Sequence, residues 1–186
     1  MAISPKRFVL LQGYFLLTGL INAGLAWLPG CLLRRLWLRL FGFRVAAGAQ
    51  VHRRVRLTSP IGLLEIGEGS IVGPGCLLDN RRGIRIGRNV NLSRECCVLT
   101  LGHDLGHPDF PTRGESVQID DDAWLFMSVR VMPGCRIGAN AVVFPFSVVT
   151  REVPASTVWG GMPARHLRDQ TVQRARQAWY GYWLAF

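Results

Sequence analysis

The chain has 186 residues, 49% hydrophobic and 18% charged, which suits one domain with a core plus modest appendages and excludes a disordered chain. Lys and Arg number 22 against 12 Asp and Glu, and the resulting net charge of +10 calls for an anionic partner or surface. Phosphates, acidic lipid headgroups and acidic glycans all qualify; nucleic acid is set aside, because no recognition motif accompanies the charge.

In chain order, the first feature is apolar. Residues 8–33 carry no charged side chain and are flanked by Lys6, Arg7, Arg34, Arg35, Arg39 and Arg44. Phe8 to Leu28 would form a helix of roughly 31 Å, enough to cross a bilayer core. Three readings fit: a spanning helix, an apolar hairpin in one leaflet, or a soluble helix over the open end of a scaffold. Gln12, Thr18, Asn22 and several glycines weaken the span, and basic residues on both sides blur its orientation. Gly24-Leu25-Ala26 has the small-x-small form of a signal-peptide cleavage site. Residues 1–44 are expected to be a helical, apolar and basic segment associated with a membrane.

A period of six follows. It opens weakly with Val45, Val51 and Leu57, continues through Ile66, Val72 and Leu78, then Ile86, Leu92 and Val98. From Ile119 it is unbroken through Leu125, Val131, Ile137, Val143 and Val149. Four residues after each beat comes a slim residue: Ala49, Val55, Ser70, Cys76, Val90, Cys96, Ala123, Val129, Cys135, Ala141, Ser147 and Val153. Helices want apolar residues at three and four, and ordinary strands at two. A period of six with two inward positions means short strands joined by tight bends, three to a triangular coil. Pro74-Gly75 and Pro133-Gly134 supply turn chemistry at such bends. The expected fold is an all-β solenoid, a parallel β-helix of hexapeptide repeats over residues 45–165, capped by the N-terminal segment and by a C-terminal helix within 166–186. The aromatic tail "QAWYGYWLAF" suits a membrane interface or a subunit interface equally.

The cysteines fit this scaffold. Cys76, Cys96 and Cys135 hold the slim inward position, and the spacing of all five, Cys31 and Cys97 included, matches neither a zinc site nor a disulfide framework. Structural thiols in a reducing compartment are expected.

The segment "IDDDAWLFMSVRVMPGCRIGANAVVFPFSVVTREVPASTVWGGMPARHL" resembles the closing coils of hexapeptide-repeat O-acetyltransferases, a group that includes maltose and galactoside acetyltransferases. The segments "RLFGFRVAAGAQV", "LLDNRRGIRIGRNVNLS" and "GHDLGHPDFP" resemble, in that order, the acetyltransferases of colanic acid and related exopolysaccharide gene clusters. The likeness spans roughly residues 35–168. It implies a left-handed helix, a homotrimer with active sites between neighbouring subunits, acetyl-CoA as donor, and a sugar or polysaccharide hydroxyl as acceptor. It also implies a cytoplasmic enzyme at the inner face of the membrane, with no metal.

The rhythm breaks at residues 99–118, where "TLGHDLGHPDF" holds two of the four histidines. An imidazole beside a sugar hydroxyl can take its proton during attack on a thioester. His103 follows Gly102 where the coil breaks, the context of the family's catalytic histidine. His107 is the weaker candidate and is placed with the acceptor, as is Asp104, which alternatively braces the loop. Asp79 and Asn80 match acceptor-side residues of the family, where either could hydrogen-bond a sugar or orient His103 from the neighbouring coil; turn chemistry is the alternative. Glu95 is a further possible orienter of the histidine. For the donor, the resemblance implies Trp124, Ser128, Arg151, Gly160, Gly161 and Arg165, the arginines suiting phosphates. Phe126, Met127, Phe144 and Phe146 depart from it, since relatives carry small residues there.

Two other readings share the scaffold. One is a non-catalytic assembly subunit whose donor groove the phenylalanines close. The other is a metal-dependent enzyme like the γ-class carbonic anhydrases, in which His52 or His166 would join His103 and His107 as ligands.

Overall fold

Two apolar residues per hexad give short strands and corners, and the computed structural model, which describes residues 4–61 and 63–173, stacks them as three parallel sheets. The first sheet holds Arg44–Val45, Leu64–Ile66, Ile84–Ile86, Val117–Ile119 and Arg136–Ile137, with Val153 bridged to Ile137. The second holds Gln50–Val51, Ile71–Val72, Asn91–Leu92, Trp124–Leu125, Val142–Val143 and Thr157–Gly161. The third holds Arg56–Leu57, Leu77–Leu78, Cys97–Val98, Arg130–Val131 and Val148–Val149. Registers run beat to beat. In the second sheet Val51, Val72, Leu92, Leu125, Val143 and Trp159 lie on one another in turn. Every beat residue and every slim residue named from the sequence is buried, so the solenoid interior is filled by them.

Corners depend on left-handed backbone. Asp122, Ser128, Gly134, Asn140 and Phe146, six apart, all have positive φ, and each precedes a slim inward residue. Asn, Asp and Gly tolerate this conformation; phenylalanine at φ 59° is an outlier.

The first coil poses a hydrogen-bonding problem. Its N–H groups donate to the second coil, as Gln50 does to Ser70 and Arg56 to Cys76, so its own carbonyls have no preceding coil to receive from. Two helices, α1 (Pro5–Trp27) and α2 (Gly30–Leu40), supply the donors. Arg39 Nε donates to Val45 O at 2.7 Å, Arg34 Nε to Val51 O at 2.8 Å, and Asn22 Nδ2 to Leu57 O at 2.9 Å, one per sheet. Ile21, Leu25 and Leu38 pack beneath them. The N-terminal segment is therefore helical as expected, and it covers the open end of the solenoid.

The other end differs from expectation. The helical tail expected over 166–186 does not begin as a helix: His166–Asp169 lie in the strand Ala164–Asp169, which folds back antiparallel on Thr157–Gly161. The hairpin gives the last parallel strand's free edge a hydrogen-bonded partner strand. The remaining tail from residue 174, including "QAWYGYWLAF", lies outside the described residues.

Candidate active site

The break in the rhythm is a hairpin projecting from the edge between the third and first sheets. Gly102–His103 pairs antiparallel with Thr112–Arg113, and strand Val117–Ile119 resumes the coil, so the excursion spans 99–116. Its base is fastened to the coil below. Thr100, fully buried, donates through Oγ1 to Asp79 O at 2.6 Å and accepts from Arg82 N at 3.0 Å. Gly114 is required where the two legs meet, since a Cβ there would fall 2.1 Å from Thr100 O.

The tip is built to aim one imidazole. Asp104 N donates to Pro111 O at 2.9 Å, and Phe110 N to His107 O at 3.0 Å. Phe110 sits at φ 43°, a left-handed conformation costly for a bulky residue. Its carbonyl oxygen lies 2.7 Å from His103 Nδ1. A carbonyl only accepts, so Nδ1 carries the proton, and the lone pair of the neutral ring is at Nε2. His103 is exposed, leaving that lone pair open to an acceptor hydroxyl. His107 has the opposite arrangement. Its Nδ1 accepts from Asp109 N at 3.2 Å, so its neutral ring carries the proton on Nε2. Asp104 takes Gly106 N on Oδ1 at 2.9 Å, and its Oδ2 lies 3.7 Å from Arg113, which places it as a brace within the hairpin.

Asp79 and Asn80 lie under the hairpin's root and are fully buried. Asn80 pairs with the backbone of Ser59 in both directions, at 3.0 and 3.1 Å. Asp79 Oδ1 accepts from Thr58 Oγ1 at 2.7 Å, and its two oxygens receive Arg81 at 2.7 and 2.9 Å. Burial works to raise the Asp79 carboxyl, but the hydrogen bonds from Arg81 and Thr58 and the Arg81 charge outweigh it and hold it at about 2. Both side chains thus face inward to structural partners. Glu95 stands at another corner, where Ser128 Oγ donates to it at 3.4 Å, and is not brought to His103.

The donor-side candidates divide. Gly160, Gly161 and Arg165 come together on the terminal hairpin, with Gly160 opposite Arg165. A Cβ on Gly160 would approach the Leu167 side chain at 3.0 Å and Phe144 at 3.4 Å, so a larger residue there would require those side chains to shift by a few tenths of an ångström. Trp124 belongs to the same sheet two strands away, its ring 5.7 Å from Phe126, which lies 6.2 Å from Phe144. Ser128 sits at the corner between the second and third sheets. Arg151 sits between the third and first, on the same edge as the His103 hairpin. The sequence reading missed Phe110, Thr58, Arg81 and Thr100; of these only Arg81, two residues after Asp79, had a local charge signal.

Four of the cysteines, Cys76, Cys96, Cys97 and Cys135, are buried, and burial pushes the Cys97 and Cys135 thiols up, as fits inert packing groups. Among the described residues no group of three or more His, Cys, Asp or Glu has metal-binding geometry. His52 lies on the first coil and His166 on the terminal hairpin, at opposite ends of the solenoid.

No family model matches the chain. Individual proteins do. The Escherichia coli K12 protein named as the colanic acid biosynthesis acetyltransferase WcaF is 32% identical over 149 residues, covering 78% of this chain and 80% of its own. Galactoside O-acetyltransferase of the same organism is 30% identical over 90 residues, 46% of this chain and 44% of its own. Among solved structures, a hexapeptide-repeat acetyltransferase from Vibrio cholerae, complexed with acetyl-coenzyme A, superposes with a TM-score of 0.76 at 26% identity, covering 91% of each chain. The repeat, the three-sheet solenoid with its interrupting hairpin, and the extent of these likenesses together show that the chain belongs to the hexapeptide-repeat acetyltransferases.

Proposed function

We propose that this enzyme transfers the acetyl group of acetyl-CoA to a sugar hydroxyl of an exopolysaccharide or its precursor, with His103 as general base. The observation that carries the reading is the bond from His103 Nδ1 to Phe110 O, which presents Nε2 as the proton acceptor. The acceptor hydroxyl gives its proton to Nε2 as its oxygen attacks the thioester carbonyl. Positive charge then develops on the ring, and the Phe110 carbonyl, receiving Nδ1–H, stabilises it. Collapse of the tetrahedral intermediate breaks the C–S bond, and the departing sulfur takes the proton back from Nε2. Base catalysis of this kind is worth roughly 10²–10⁴ in rate. Asp79 acts at a distance, holding the root of the hairpin through Thr100.

A homotrimer supports this chemistry. His103 stands on an exposed hairpin, and within one protomer Arg151 lies on the edge between the third and first sheets while Arg165 lies on the terminal hairpin of the second sheet. A donor lying between neighbouring protomers would reach arginines from both, and their guanidinium groups suit its phosphates. The continuous rings of Trp124, Phe126 and Phe144 favour, as a second reading, an acyl chain longer than acetyl on the same donor. The enzyme works in the cytoplasm, at the inner face of the membrane, a placement supported by the apolar helix α1.

The test is incubation with acetyl-CoA and a panel of sugars and exopolysaccharide fragments in detergent, following free thiol and acceptor mass. An acceptor heavier by one acetyl group is expected. Failure to modify any acceptor with acetyl-CoA or longer acyl-CoA donors would refute the assignment.

A further inference from the structure

Helix α1 is long and apolar enough to cross a bilayer, yet it is pinned lengthwise to the solenoid. Tyr14 Oη donates to Thr58 O at 3.3 Å, and Asn22 also receives Leu57 N at 2.9 Å. Leu25 O accepts from Arg54 N at 3.2 Å, and Ala26 O from Arg53 Nε at 3.3 Å. A helix held this way from residue 14 to 26 cannot span a membrane without carrying the first coil in with it. The side turned away from Ile21 and Leu25 is nevertheless apolar: Leu16 is 74% exposed and Trp27 79%, with Val9 and Leu20 alongside. Helix α2 likewise exposes Leu32, Leu36 and Leu40, opposite its buried Gly30, Arg34 and Leu38. An uncovered apolar face of this extent marks an interaction surface.

Charge identifies the occupant. Residues 1–64 contain nine Lys or Arg and no Asp or Glu, so nine of the ten net positive charges belong to the helical cap and the first coil. Arg34 is buried and Arg44 pairs with Glu65, which leaves Lys6, Arg7, Arg39, Arg54 and Arg56 exposed at this end of the molecule. Apolar residues accompanied by exposed cations match an anionic lipid leaflet, where the apolar side enters the acyl boundary and the cations meet headgroups. A groove of about 640 Å³ opens between α1 and the edge of the first coil, lined by Val9, Leu10, Leu17, Pro60 and Ile61 with Arg7.

We propose that α1 and α2 form a monotopic docking surface for an anionic leaflet, entering one leaflet without crossing the bilayer. Pro60 and Ile61 lie on the edge between the third and first sheets, the edge from which the His103 hairpin departs two strands further on, about 10 Å along the solenoid axis. Docking therefore turns the catalytic edge toward sugars held at the membrane surface. That consequence rests on the acetyltransferase reading above; the docking itself does not.

The experiment is flotation of the full chain with preformed vesicles of phosphatidylcholine plus phosphatidylglycerol, or of phosphatidylcholine alone, at low and high salt. It is repeated with Leu16→Asp/Leu20→Asp, and acetyl transfer to a soluble acceptor is measured in parallel. Expected are salt-sensitive binding to the anionic vesicles and at least about tenfold weaker binding of the double variant. Retained transfer by the variant shows that it is folded. Absence of vesicle binding, or binding that the double substitution leaves unchanged, overturns the proposal. So does a fall in oligomeric state in the variant without vesicle binding in the wild type, which would make this face a contact between copies of the chain. Vesicle binding without acetyl transfer to any acceptor would leave docking standing and refute the functional reading alone.

Discussion

Asp79 is a buried carboxylate that ties the root of the His103 hairpin to the coil beneath it. It joins Thr58 of the coil below, Arg81 of its own turn, and the backbone of Thr100 at the hairpin root. Because its folded pKa, about 2, lies below the ordinary 3.8, the unfolded chain takes up the proton more readily. The stabilisation is complete above the ordinary value and is lost as pH falls toward 2. Wild type is expected to exceed Asp79→Asn by about 2 kcal/mol in urea unfolding near neutrality, a gap that closes as pH approaches 2. A constant gap across that window would mean that the carboxylate's charge contributes nothing. Phe110 carries a different lesson. Its left-handed backbone aims a carbonyl at His103, and no property of a phenylalanine in a sequence announces that.

At the scale of elements, the repeat was fully legible and its ends were not. Periodicity reports side chains that share one environment, so Val72, Leu92 and Leu125, stacked in one sheet, declare themselves. Capping has no period. Asn22 reads as a polar interruption of an apolar segment and Arg34 as part of its basic flank, whereas they supply donors to Leu57 O and Val51 O. The strand character of His166–Asp169, where a helical tail is expected, is not legible because a single pairing carries no repeat either. Of the site, the position of His103 was legible as a break in rhythm; the inward orientation of Asp79 and Asn80 was not, since burial at a turn depends on which coil lies beneath. Arg34 also donates to Leu28 O at 2.9 Å. Arg34→Met is accordingly expected to destabilise the fold by about 2–4 kcal/mol in denaturant unfolding, by stranding two carbonyls. Burial and then the Arg34 charge lower the His52 pKa. In the same variant the His52 resonance should therefore titrate at higher pH, and an unmoved titration would show that Arg34 does not act on it.

For the molecule as a whole, the solenoid sets positions along an axis. The helical cap and nearly all the net charge lie at one end, the terminal hairpin with Gly160 and Arg165 at the other, and the His103 hairpin between them. The proposed donor site draws on arginines of neighbouring protomers. Sedimentation equilibrium in detergent should give three times the chain mass; a monomer that is fully active would contradict a shared site. The central claim is that His103 is the base, and the most direct test compares thiol release from acetyl-CoA, with a sugar acceptor present, in wild type, His103→Ala and His107→Ala. His103→Ala is expected to lose roughly 10²–10⁴ in kcat with its fold intact, while His107→Ala stays near wild type. Equal activity in all three proteins would contradict the assignment of the base.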